Sequence, residues 1–104
     1  MAADEWLLAL YVNRNLDLIA VDTVARGNVS GVTVPIGRLL YRGHQLAAEG
    51  FILVHNHPSG DPTPGSEDVR ITVRLAKVSR DCDLPLLCHY IVVASGEMRT
   101  VGEW

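Results

Sequence analysis

An α/β (α+β) domain, with a mixed β-sheet flanked by two main helices, is the fold class this sequence predicts. Three observations carry that reading. Short apolar runs bounded by turn residues recur along the chain: EWLLALYV, LDLIAVDTVA, FILVH and LLCHYIVVA. Between them the apolar spacing twice switches to a helical period, from Pro35 onward and again over 66–82. No repeat, linker or low-complexity segment interrupts the 104 residues, so a single domain over 1–104 is expected.

Residues 5–12 read as a buried strand, and the turn formers NRN at 13–15 lead to a second strand over 16–25. There Leu16, Leu18, Ala20 and Val24 share one face and Asp17, Ile19 and Val21 the other, so the pair predicts an antiparallel hairpin. RGNVSG is a loop, and VTV a short extended piece held off helix by Pro35. Pro35 suits the first helical position. Ile36, Leu39, Leu40, Leu46 and Ala47 then share one face of a helix over 35–49, with Gly50 as its stop. FILVH at 51–55 is apolar throughout, as in a strand covered on both faces. Over 66–82, Val69, Ile71, Thr72, Val73, Leu75, Ala76 and Val78 form a broad apolar face opposite Arg70, Arg74 and Lys77. That basic stripe reads as solvated helix surface. Residues 86–94 are a further buried strand, and Gly96 turns the chain into an edge strand over 97–101. Trp6 and Trp104 read as anchors at the ends of the core.

Composition narrows the function classes. With 48% hydrophobic and 20% charged residues the chain can bury one core. Its apolar runs fall far short of the roughly 20 residues a membrane helix needs. MAADEW has neither a basic nor an apolar signal region, so no membrane contact or export is expected. The net charge of −3 does not support electrostatic DNA binding. Cys82 and Cys88 form no CxxC pair, so reduced thiols and a cytoplasmic location are expected.

The stretch HNHPSGDPTPGSED, residues 55–68, concentrates the chemistry. In an extended segment His55 and His57 project to the same side while Asn56 faces away. Pro58, Gly60, Pro62 and Pro64 make a stiff loop that can fold back and bring Asp68, in the first turn of the next helix, to the two imidazoles. Two His and one Asp are three N/O donors, a set that suits a catalytic Zn²⁺ with an open fourth position. A polar loop whose Asp merely caps a helix accounts for the same residues, and from these alone both accounts stay open.

The same stretch resembles the JAMM metalloprotease signature, HxH followed by seven residues, a Ser, two residues and an Asp. HNHPSGDPTP is more narrowly similar to the RadC branch of that superfamily, and the likeness continues through DVRITVRLAKVSRDCDLPLLCHYIVV, covering nearly all of 5–104. The resemblance implies the cytidine-deaminase-like JAMM/MPN fold, a Zn²⁺ held by His55, His57 and Asp68, and hydrolysis of a peptide or isopeptide bond in a substrate left unidentified. It also implies a general-base glutamate on an early strand, and by position Glu5 matches. Glu49 sits at a helix end on the wrong side of its strand, and Glu67 reads as a helix-start charge. RadC-like proteins are traditionally called DNA repair proteins; the helix-hairpin-helix region of larger members has no counterpart in this sequence.

The sequence leaves the family pattern at one position. The motif Ser, an oxyanion hydrogen-bond donor in the family, falls on Gly65, with Ser66 one place late. Losing such a donor lowers rates by about 10²–10³. Ser66 is the candidate substitute, although as a helix cap its hydroxyl would be engaged with a backbone amide. Two functions follow: a zinc-dependent peptide or isopeptide hydrolase, or a metal-binding, catalytically weak domain that serves as a binding module in a DNA-processing context. The letters HNH do not make a nuclease, whose residues are dispersed over a ββα unit. His89 reads as a core residue or a partner of the ligands, Cys88 as a small buried hydrophobe, and His44 as helix surface.

Overall fold

The computed structural model describes residues 4–27 and 34–102. Its elements are β1 (Glu5–Val12), β2 (Leu18–Gly27), α1 (Ile36–Gln45), β3 (Gly50–Asn56), α2 (Ser66–Asp81), β4 (Leu86–Val92) and β5 (Met98–Thr100). The five strands form one mixed sheet in the order β2-β1-β3-β4-β5. β3 and β4 run parallel; the other pairs are antiparallel. The mixed sheet, the two helices and the hairpin are those the sequence predicts. Residues 32–33 of the extended piece, residues 28–31 of the loop and Trp104 lie outside the described residues.

The parallel pair positions the site. Joining β3 to β4 in parallel requires a crossover, which α2 supplies, so the carboxyl end of the central strand β3 and the amino end of α2 lie at the same end of the sheet.

Both helices pack on the same sheet face. Leu7, Ala9, Tyr11, Phe51, Leu53 and Leu86 from the strands meet Leu39, Leu40, Ile71 and Leu75 from the helices in one buried cluster. The Tyr11 hydroxyl donates to the Leu39 carbonyl at 2.7 Å, tying β1 to α1, and burial pushes its pKa up to about 12. Gly43 is buried in α1 because a Cβ there would strike the Leu84 and Tyr11 side chains.

That one-sided packing corrects several expectations. FILVH is not covered on both faces: Phe51, Leu53 and His55 are buried, whereas Ile52 and Val54 are half-buried beside Leu8, Leu10 and Tyr90. On α2 only Ile71, Thr72, Leu75 and Ser79 are buried, and Val69 and Val73 face solvent, because the helix lies along the sheet on a narrow stripe. The turn before β2 is longer than NRN. The Asn13 side chain accepts from the amides of Asn15 and Asp17, placing Leu16 (φ 66°) in the turn, and Leu18 begins the edge strand exposed. α1 ends at Gln45, where the Leu46 amide closes the last turn on Arg42 and Ala47 takes a positive φ of 54°. Ala47 therefore leaves the helical face, and Gly50 is the first residue of β3, not a helix stop.

Candidate metal centre

β3 carries His55 onto the helix-covered face of the sheet, where it is 2% exposed. His57 follows just past the strand end, its backbone amide donating to the Val92 carbonyl of β4 at 3.1 Å. The loop then turns at Gly60, whose φ of 88° favours glycine, and its amide returns to the His57 carbonyl at 3.0 Å. The Asp61 side chain accepts from the Thr63 amide at 3.0 Å, and Pro62 is buried, so the loop is held from within. It delivers Asp68 to the first turn of α2, as the proline-rich spacing predicts.

The Asp68 carboxylate straddles the two imidazoles. Its Oδ1 lies 3.3 Å from His55 Nε2 and its Oδ2 lies 3.2 Å from His57 Nε2. Two donors bound to one tetrahedral zinc at about 2.0–2.1 Å sit about 3.3–3.4 Å apart, so both separations fit a shared metal ion. The protonation pattern points the same way. His57 Nδ1 meets the Asp61 carbonyl oxygen at 2.9 Å, and a carbonyl only accepts, so that nitrogen carries the hydrogen. In a neutral ring Nε2 then presents its lone pair beside a carboxylate oxygen, the pose of a metal ligand, whereas with a second ring proton the same contact is an ion pair. Burial, the largest influence, lowers the His55 pKa and favours its neutral, ligating form; Asp68 acts against this.

Glu5, the first residue of β1, is half-buried, and one of its oxygens belongs to a cluster with His55 and His57 whose ligand atoms lie within 4.8 Å of one another. This cluster and the His55–His57–Asp68 set share both imidazoles, leaving two carboxylates available to the same centre. Glu49 is exposed at the opposite end of β3, and Glu67 is exposed and ion-paired with Arg70. A cleft of about 400 Å³ opens over the centre, lined by Glu5, His57, Pro58, Ser59, Thr63, Gly65, Glu67 and Asp68.

Gly65, not Ser66, lines that cleft and is the N-cap of α2. Its amide donates to Asp68 Oδ2 at 2.7 Å, so the residue that replaces the motif Ser holds a carboxylate of the centre through its backbone. Ser66 is exposed one position inside the helix, and the cap expected of its hydroxyl is not formed.

The model of the RadC-like JAB domain matches residues 1–101. The chain belongs to the RadC-like JAB domain family. Its five-stranded mixed sheet and two helices fit the JAB/MPN-type fold. Among curated relatives, a UPF0758 protein of Neisseria meningitidis serogroup C is 40% identical over 87 residues, covering 84% of this chain and 39% of the relative. One from Aquifex aeolicus is 39% identical over 85% of this chain and 38% of its own length. One from Ruegeria pomeroyi is 39% identical over 95% of this chain and 44% of its own. This RadC-like JAB domain thus spans about two fifths of the length of the curated relatives it matches.

Two residues of the centre gain meaning only in three dimensions. Asn56 faces away from the histidines, as strand alternation predicts, but its amide is bonded to the backbone at the start of β1: Oδ1 accepts from the Trp6 amide at 2.7 Å and Nδ2 donates to the carbonyl of Asp4, just before the strand, at 2.9 Å. Trp6 is accordingly half-buried beside Asn56, His57 and Val92, away from the main core. His89, on β4, is 1% exposed and lies behind His55, its Nε2 3.0 Å from His55 Nδ1. Its position in an apolar strand was the one sequence signal for that role. Among the described residues no helix is long and apolar enough to cross a membrane.

Proposed function

We propose that this chain is a zinc-dependent hydrolase of peptide or isopeptide bonds, with His55, His57 and Asp68 as metal ligands and Glu5 as general base. The observation that supports it most is the pair of imidazole nitrogens facing one carboxylate at 3.2 and 3.3 Å, beside a half-buried glutamate. Zn²⁺ in that set would act as a Lewis acid and lower the pKa of a water to about 7. Glu5 would take the proton of the attacking water and deliver it to the leaving nitrogen. The Gly65 amide holds Asp68 in place, and a cleft of about 400 Å³ opens over these residues. The two cysteines are free, which suits a reducing, cytoplasmic setting.

Gly65 favours a second reading, a metal-binding module with weak catalysis that serves by binding, in DNA processing or elsewhere. Gly65 brings no hydroxyl to the cleft, and Ser66 does not line it.

Metal analysis of the purified chain and of His57→Ala, together with turnover of a peptide and isopeptide library, tests both. Stoichiometric zinc that is lost in His57→Ala, with turnover abolished by a chelator, supports the hydrolase. Zinc without turnover supports the module. A chain that binds no metal and is unaffected by a chelator overturns both.

A further inference from the structure

Thr72, on α2, has one hydroxyl hydrogen and two close partners: the Asp68 carbonyl oxygen at 2.6 Å and His89 Nδ1 at 2.7 Å. A carbonyl only accepts, so the hydroxyl donates to Asp68 and accepts from His89 Nδ1–H. Both ring nitrogens of His89 are taken by uncharged groups, a hydroxyl and an imidazole, in a residue 1% exposed. A second proton on that ring would be a buried charge without a bonded counter-ion, so Nε2 is bare. The hydrogen shared with His55 therefore belongs to His55 Nδ1. His55 is left with its lone pair on Nε2, the nitrogen that faces Asp68 Oδ1 at 3.3 Å.

We propose that Thr72 and His89 are positioning residues that fix the tautomer and ring orientation of His55, through a hydrogen-bond chain that starts at the Asp68 carbonyl and exposes His55 Nε2. This rests on the reading of His55 and Asp68 as metal ligands. The chain closes on one residue: the Asp68 backbone sets the direction of every bond, and the Asp68 side chain faces the nitrogen thereby exposed. A histidine ligand ordinarily gives its second nitrogen to a carboxylate or a backbone carbonyl. Here a second imidazole stands in that place, and an imidazole can be bonded in either direction, so Thr72 is needed to choose one.

Thr72→Val keeps the shape of the side chain and removes the hydroxyl. His89 can then carry its hydrogen on Nε2 and donate to His55 Nδ1, which moves the His55 hydrogen to Nε2, among the ligand atoms. Thr72→Ser keeps the hydroxyl. Two-bond nitrogen–proton NMR of the metal-free chain identifies the protonated nitrogen in each ring, and competition titration gives the zinc affinity. Expected are Nδ1–H tautomers of His55 and His89 in wild type and Thr72→Ser. In Thr72→Val the reversed or mixed pattern should appear, with zinc affinity lower by about 10–100-fold. Wild-type His55 protonated on Nε2, or a Thr72→Val chain with wild-type tautomers and affinity, overturns the proposal. The wild-type spectrum decides it even if Thr72→Val fails to fold. Absence of zinc binding in every form would overturn the metal reading instead, while the tautomers would still decide the relay.

Discussion

The Asn56 side chain accepts a hydrogen bond from the Trp6 backbone amide at 2.7 Å, although Asn56 points away from the two histidines beside it. The β1–β3 ladder reaches Leu7 opposite His55, and beyond that pair the Asn56 amide takes the place of a strand, holding Trp6 and Asp4 on either side of Glu5. Glu5 and Leu7 share a strand face, so fixing its neighbours aims Glu5 at the histidines. In Asn56→Ala both bonds are lost, each contributing about 0.5–1.5 kcal/mol. Zinc content is expected to stay at the wild-type level while turnover falls and the Trp6 amide exchanges faster. Unchanged turnover would show that Glu5 is held by something else.

Glu5→Gln separates the two carboxylates of the centre. If Glu5 is the general base of the proposed hydrolase, it contributes about 10²–10⁴ to the rate, and the variant should keep zinc and lose most turnover. Metal analysis beside kinetics reads both. Loss of zinc would make Glu5 a ligand, a role its clustering with His55 and His57 permits.

Much of this architecture is visible in the residues, and the exceptions have a common cause. The spacing of His55, His57 and Asp68 across a proline-stiffened loop carries the site, because strand alternation and the helix start are local. Asn56 and Thr72 do not stand out, since their roles depend on which strand and which ring lie alongside. Val69 and Val73 obey the helical period yet face solvent, because periodicity defines a stripe without saying how wide the surface beneath it is. Leu16 fits an alternating strand, but the Asn13 side chain holds the turn open past it, and the strand begins only at Leu18.

Gly43 is a packing prediction independent of the chemistry. A Cβ at this buried position would meet Tyr11 Cε1 at 3.1 Å and overlap Leu84. Gly43→Ala gains helix propensity but forces α1 off the sheet, and overpacking of this kind costs about 1–3 kcal/mol. Urea unfolding should show a lower midpoint with an unchanged slope. A stabilised variant would mean that Leu84 and Tyr11 yield freely.

The two buried histidines make stability fall in mild acid. Burial, then His55, pushes His89 down to about 3 from an ordinary 6.5, and burial lowers His55 as well. A ring that stays neutral when folded but protonates when unfolded lets the unfolded state bind more protons. For His89 that stabilising effect is complete above the unfolded value near 6.5 and is lost as pH drops toward about 3, at about 1.4 kcal/mol per pH unit; His55 adds to the decline in the same direction. Denaturant unfolding of metal-free protein across that window should show this decline, and His89→Gln should flatten it. An equally steep decline in His89→Gln would place the proton uptake on other groups.

Gly65→Ser tests whether this chain is a slowed hydrolase or a module that never needed the hydroxyl. The position accepts the change: φ is −83°, and a Cβ would lie 3.4 Å from Asp68 Oδ2, in ordinary contact. As an N-cap, Ser exceeds Gly by a few tenths of a kcal/mol, so a small rise in the unfolding midpoint is expected. The Gly65 amide that holds Asp68 belongs to the backbone and survives the substitution, so zinc affinity should not change. What the variant adds is a hydroxyl lining the cleft. If oxyanion stabilisation is the missing part of a working hydrolase, turnover should rise by about 10²–10³ with little change in KM. If zinc affinity and stability behave as predicted and turnover stays at background, the hydrolase reading fails and the binding module stands.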